Sequence, residues 1–186
     1  MTLMTSDAVT LPRGRDFTRA DLDAMPDDGH RYELIDGVLI VTPAPRIRHQ
    51  DVVGNLYAFL RSAAPRAVKV LMAPVDVVLP DTTIIQPDLL VAPRDAFTER
   101  DLPTAPLLAI EVLSPSTRSI DLLLKKDRLE RAGCPNYWVV DPDEPSVIAW
   151  HLHDGTYQPH AQATGADSFE IATPFPVAFT PNDLIA

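Results

Sequence analysis

Residues 84–117 constrain the fold more than any other stretch, because they set one carboxylate into each of two otherwise apolar runs. The first run is Ile84-Ile85-Gln86-Pro87-Asp88-Leu89-Leu90-Val91; the second is Leu107-Leu108-Ala109-Ile110-Glu111-Val112-Leu113, followed by Ser114-Pro115-Ser116-Thr117. Short apolar runs bounded by turn residues predict two adjacent buried strands. An ionised carboxylate in such a strand is costly unless a cation faces it. A divalent metal is the obvious cation. The structural alternatives are a turn cap after Pro87 for Asp88 and a buried Arg or Lys partner for Glu111.

The chain of 186 residues is long enough for one domain with a sizeable core. We therefore expect an N-terminal arm over residues 1–17 and a single domain over 18–186. No apolar run is long enough for a membrane span and the first residues lack a signal-peptide pattern, so a cytoplasmic protein without membrane contact is the expectation. Cys134 stands alone in a Gly-Cys-Pro turn, which excludes an internal disulfide. A net charge of −10 argues against a protein that coats nucleic acid electrostatically. The basic residues end at Arg131, and Arg118, Lys125, Lys126, Arg128 and Arg131 form one local basic segment interleaved with Asp121, Asp127 and Glu130.

Turn chemistry and periodicity predict the remaining elements. Thr18 caps a short helix through Ala24, with Asp21 three residues on. Asp36-Gly37 joins two strands, residues 31–35 and 38–41, because that dipeptide supplies the positive φ angles of a tight hairpin. Val52, Val53, Leu56, Phe59 and Leu60 form the buried stripe of a helix over residues 48–63, which leaves His49, Gln50 and Asn55 at its edge or outside. Strands follow over 68–73 and 75–79, and the polar segment 93–106 reads as a surface loop. Ser116 or Ser119 caps a helix completed by Ile120, Leu123, Leu124 and Leu129, which Gly133 and Pro135 terminate. Three strands at 136–140, 147–152 and 156–161 come next, then weak strands in a Pro-rich tail. His151 and His153 share a strand face and read as exposed; Trp138 and Trp150 read as core or half-buried. The fold class is α/β, a mixed sheet flanked by helices.

Hydrogen-bonded neighbours would bring Asp88 and Glu111 to one sheet position. Such hard oxygens suit Mg²⁺ or Mn²⁺, with the Val112 carbonyl as a third oxygen. Lys125 is the best-placed cation to act on a water or phosphate. It sits about 9 Å along the helix axis from Ser119 at 1.5 Å per residue, and reaches the strand ends if the helix crosses them. Its alternative is a surface pair with Asp121 one turn earlier. His49 has the alternative of an ordinary polar residue at a helix N-terminus.

The ordered set Tyr32-Glu33-Leu34-Ile35-Asp36-Gly37, His49-Gln50, Asp76-Val77, Gln86-Pro87-Asp88, Glu111-Val112-Leu113-Ser114-Pro115-Ser116-Thr117, Asp121, Lys125, Ala132-Gly133 and Tyr137-Trp138-Val139-Val140-Asp141-Pro142 resembles the Uma-type restriction endonucleases of the PD-(D/E)XK nuclease superfamily. The resemblance spans about residues 18–160. It implies a restriction-endonuclease-like core with Asp88 and Glu111 as the motif acids. The motif lysine would fall at Leu113, so the superfamily pattern is broken there. The resemblance implies Lys125, on the following helix, as its substitute; Lys126 points about 100° away around the helix and ranks second. It also implies that Glu33 and His49 line the same cleft, Glu33 as a further metal oxygen and His49 as a phosphate or water contact.

The function expected is a Mg²⁺-dependent endonuclease, with Mn²⁺ as the substitute ion, that hydrolyses DNA phosphodiesters and works as a homodimer. A second expectation of a different class is a non-catalytic module that keeps the fold for nucleic-acid or protein binding. A third is a carboxylate-pair hydrolase of a small substrate.

Overall fold

The hairpin of β1 (Arg31–Ile35) and β2 (Val38–Thr42) turns at Asp36 and Gly37, whose φ angles of 53° and 72° are the left-handed pair that this dipeptide favours. The computed structural model describes residues 14–115 and 118–185. Residues 1–13 of the expected arm and the candidate cap Ser116 lie outside the described residues. Before the hairpin, α1 (Arg19–Asp23) carries the expected Thr18–Asp21 capping box. Phe17 N–H donates to the Gly37 carbonyl at 2.7 Å and ties the chain entering α1 to the turn.

After the hairpin come α2 (Ile47–Ala63), β3 (Val68–Met72), β4 (Val77–Leu79), β5 (Thr83–Ile85), β6 (Leu89–Pro93) and β7 (Leu108–Val112). The run 84–91 is therefore two strands. Proline has no N–H for a ladder, and the chain crosses from one sheet to another at Gln86-Pro87-Asp88. The first sheet is ordered β2-β1-β5-β4. The central sheet adds β8 (Asn136–Asp141), β9 (Ser146–His153) and β10 (Thr156–Thr164) in the order β10-β9-β8-β7-β6-β3. In it β7 and β8 are parallel, joined by a helical crossover, and the other pairs are antiparallel. A ribbon of β11 (Phe169–Ile171) and β12 (Val177–Phe179) closes the fold.

The middle strands of the central sheet, β6, β7 and β8, are buried on both faces, which explains why they read as continuous apolar runs. On one face Leu89, Val91, Leu108, Ile110 and Trp138 pack against Val52, Val53, Leu56 and Leu60 of α2. On the other, Leu90, Ala92, Ala109, Tyr137 and Val139 meet Ile35, Leu79 and Ile85 of the smaller sheet. Trp138 is core, edge-on to Phe169. The segment 93–106 is less of a surface loop than its polarity predicts, because Leu102 is fully buried and bridges to Val77.

The crossover helix departs most from its expected face. It begins as a π-helix, Ile120–Lys125, and continues as α3 (Lys126–Arg131), with no side-chain cap from Ser119. Leu123 and Leu124, expected in the core, are 67% and 42% exposed, whereas Asp121 and Lys125 are buried with Leu129. The wide turn rotates the helix so that its charged residues face the sheet.

Candidate functional site

Asp88 and Glu111 meet because β6 and β7 are hydrogen-bonded neighbours. Leu89 pairs with Ile110, so one residue further along the antiparallel ladder brings Asp88 opposite Glu111. Asp88 Oδ2 accepts the Val112 main-chain N–H at 2.9 Å and the His49 Nε2 proton at 3.1 Å, and Oδ1 accepts Arg31 Nη1 at 2.9 Å. Burial alone would raise the Asp88 carboxyl. The His49 hydrogen bond and the Arg31 charge reverse this and hold it well below the usual carboxylate range.

Glu111 has the opposite environment. Its Oε1 lies 3.2 Å from Lys125 Nζ, close enough for attraction, yet this buried oxygen receives no well-directed hydrogen bond. Burial pushes its carboxyl well above the usual value, and Asp121, Asp88 and Glu33 add to the effect against the pull of Lys125.

Lys125 is 3% exposed and stands 2.9 Å from Glu33 Oε1 and 3.7 Å from Asp121 Oδ1, as well as beside Glu111. Burial would lower its pKa, but these carboxylates override that and hold the ammonium above its ordinary value. Glu33 Oε1 also accepts the Gln86 N–H at 2.6 Å, and Tyr137 O–H donates at 2.8 Å to the Asp121 carbonyl, pinning the π-helix to β8. Lys126 points elsewhere, with its amine 4.2 Å over the Trp150 ring.

Asp88, Glu111, Lys125, Glu33, Asp121, His49 and Arg31 line a cavity of about 270 Å³ together with Pro43-Ala44-Pro45, Arg46 and Ser114. Among the described residues, its buried acids are Glu33, Asp88, Glu111 and Asp121, against three lining cations of fixed charge: Lys125, Arg31 and the exposed Arg46. That excess of carboxylate, with the Glu111 oxygen lacking a donor, is donor chemistry that fits a hard divalent cation. No group of three or more His, Cys, Asp or Glu side chains among the described residues is arranged to hold a metal as it stands. Glu33, expected as a further metal oxygen, is turned to Lys125.

A family model described as "Uma2: Putative restriction endonuclease" matches residues 19–184. The chain belongs to the Uma2 family. A solved structure, described as "a putative nuclease belonging to DUF820 from Anabaena variabilis ATCC 29413", superposes with a TM-score of 0.72 at 18% identity, covering 91% of this chain and 97% of the other. At that identity the likeness establishes the restriction-endonuclease-like fold. No curated protein matches the chain. No helix of this Uma2-family chain is long and apolar enough, among the described residues, to cross a membrane.

Two residues at the cavity of this Uma2-family chain are placed differently from what their local sequence pattern predicts. His49 is buried on the inner side of α2, 7% exposed, rather than at its edge. The apolar stripe hid this, because a histidine with a carboxylate partner can occupy a core-facing position that its polarity argues against. In the sequence Arg31 is simply a residue of the hairpin's first strand. Its signal was the period of two, which sets Arg31 and Glu33 on one face of β1.

Proposed function

We propose that this protein is a metal-dependent endonuclease that hydrolyses DNA phosphodiester bonds, with Mg²⁺ as the working ion and Mn²⁺ as a substitute. The observation that carries this is the convergence of Asp88, Glu111 and Lys125 on one cavity of about 270 Å³. Asp88 and Glu111, with the Val112 carbonyl, would hold the ion. When bound, it would supply Lewis-acid stabilisation of charge developing on the phosphate.

The remaining roles belong to the chain itself. Lys125, held in its protonated form, would donate hydrogen bonds to the attacking water or a non-bridging phosphate oxygen, and would not act as a base. Glu33 and Asp121 would fix that ammonium in place. His49 and Arg31 would orient Asp88, and the Asp88–Val112 hydrogen bond would hold both strand ends in register. A homodimer in the cytoplasm suits this reading, since a two-fold pair of sites matches the symmetry of duplex cleavage.

The test is cleavage of plasmid and oligonucleotide DNA with Mg²⁺ by the wild type and by Asp88→Ala and Glu111→Ala. Loss of cleavage in both variants with the fold retained supports the proposal. Full activity in both removes it.

A second reading, a non-catalytic binding module, is favoured by one feature: Arg31 and Lys125 already neutralise part of the acidic cluster. Calorimetric titration with Mg²⁺ and Mn²⁺ separates the two, because a module of that kind has no need of an ion at Asp88 and Glu111.

A further inference from the structure

A second cavity, of about 460 Å³, adjoins the acidic one and shares with it a wall made by Arg31 and Pro43-Ala44-Pro45. We propose that this cavity is a nucleoside subsite that takes the unpaired base and sugar next to the scissile phosphate, with Arg31 holding the phosphate on the shared wall. The proposal rests on the nuclease reading and adds a substrate class to it: a strand with at least one nucleotide outside a duplex.

Charge distribution decides which part of a nucleotide the cavity suits. Asp23, Asp27 and Asp76 line it, Asp23 and Asp76 being ion-paired with Arg19, and Asp23 with Arg100 as well; among its described lining residues Arg31 is the only cation of fixed charge. Away from the shared wall the described lining offers a phosphate no cation, so the phosphate stays at Arg31 and the uncharged part of the nucleotide is what enters. Arg31 engages Asp88 and the Gln86 carbonyl through Nη1 alone among the described residues. A guanidinium has five N–H donors, and its side chain here is 23% exposed.

The lining also suits a flat heteroaromatic ring. Tyr32 and His30 form a tilted pair with centroids 6.3 Å apart. Asp28 fixes both rings, accepting from the Tyr32 hydroxyl at 2.9 Å and contacting His30 Nδ1 at 2.9 Å. Pro26, Pro43 and Pro74 add apolar surface, and the Gln86 amide, oriented by donation to Asp76 at 2.8 Å, lies at a position to read a base edge. Aromatic walls that stack bases and amides that read their edges are how proteins hold unstacked nucleotides. A base inside a duplex would have to leave its stack to enter.

The experiment uses the full chain in metal-free buffer at low ionic strength, where no strand is cut. End-label anisotropy measures the Kd for a short single-stranded DNA containing 2-aminopurine, for its abasic counterpart of equal length and charge, and for the paired duplex. The expected result is about tenfold weaker binding of the abasic strand and of the duplex. Tyr32→Ala should weaken the intact strand by a similar factor, with no further loss for the abasic strand and with loss of the 2-aminopurine fluorescence change. Equal affinity for all three DNAs overturns the subsite and leaves the nuclease reading standing. Absence of DNA binding by the wild type also overturns the subsite, and the nuclease reading is then judged separately by the Mg²⁺ cleavage assay on Asp88→Ala and Glu111→Ala. The abasic comparison leaves the protein unaltered, so the result does not depend on the variant folding.

Discussion

Lys125 Nζ lies 3.2 Å from Glu111 Oε1, so the amine that completes this site comes from a helix and the acid from a strand end. The contact exists because the π-helical turn sets Asp121 and Lys125 on the inner face and turns Leu123 and Leu124 outward. Stability and the proposed chemistry consequently draw on the same buried charges, and paired stability and cleavage measurements separate the two.

Lys125→Met should abolish cleavage and cost about 3–5 kcal/mol at neutral pH, since Glu33, Glu111 and Asp121 would be left facing one another without their cation. Lys126→Ala should retain cleavage and lose only about 0.5–1 kcal/mol from the contact over Trp150. Urea unfolding beside a cleavage assay distinguishes them, and the reverse pattern would transfer the role to Lys126.

Glu111→Gln should raise the Tm of the metal-free protein at neutral pH. The Glu111 carboxyl is held above its ordinary value, so the native state keeps a proton that the unfolded chain releases near about pH 4.3. Ionisation therefore costs the folded wild type progressively as pH rises through that window, and the glutamine variant escapes the cost. Thermal melts of both proteins between pH 3 and pH 8 should diverge upward from the acid end; parallel curves would contradict the environment described for Glu111.

Asp88 should show the opposite sign. Its carboxyl is held below its ordinary value, so the contacts to His49 and Arg31 stabilise the fold above about pH 3.9 and are lost as the pH falls through the lowered value. Asp88→Asn should cost about 1–3 kcal/mol at neutral pH and flatten the acid limb of the stability profile. An unchanged acid limb would show that another carboxylate governs it.

Mg²⁺ should stabilise the wild type by about 2.7 kcal/mol at a hundredfold excess over its Kd, and EDTA should reverse the gain. Asp88→Ala and Glu111→Gln should show no such rise. A wild-type Tm indifferent to both Mg²⁺ and Mn²⁺ would favour the non-catalytic module.

Gly37→Ala should destabilise the hairpin by about 1 kcal/mol or more. Gly37 has a φ of 72°, and an added Cβ would stand 2.5 Å from Asp16 Cβ. Specific activity per folded molecule should be unchanged, because the turn lies outside the site; a loss of kcat would tie the turn to catalysis.

Much of this architecture was legible because it is encoded locally. Asp36-Gly37 specifies its turn through positive φ angles, Thr18 and Asp21 specify a capping box, and Gly133 ends its helix with a φ of 79°. The carboxylates at 88 and 111 stood out because charge within apolar runs is costly wherever the runs fold. Arg31 was not legible in the same way, and the helical pattern did not show His49 as buried: a half-buried arginine and a core-facing histidine are explained by the Asp88 carboxylate they contact.

By itself, then, the chain's order of residues determined the hairpin, the apolar strands, the helix ends and the two acids around which a site could form, because period, turn chemistry and desolvation act over a few neighbouring positions. The tertiary structure decided what the residues alone left open: that Lys125 is buried against Glu33, Glu111 and Asp121 rather than paired with Asp121 at the surface, that His49 faces inward from α2, and that Arg31 enters the same cavity. Those outcomes depend on strand pairing and on the rotation of a π-helical turn against β8, contacts between residues far apart in the chain.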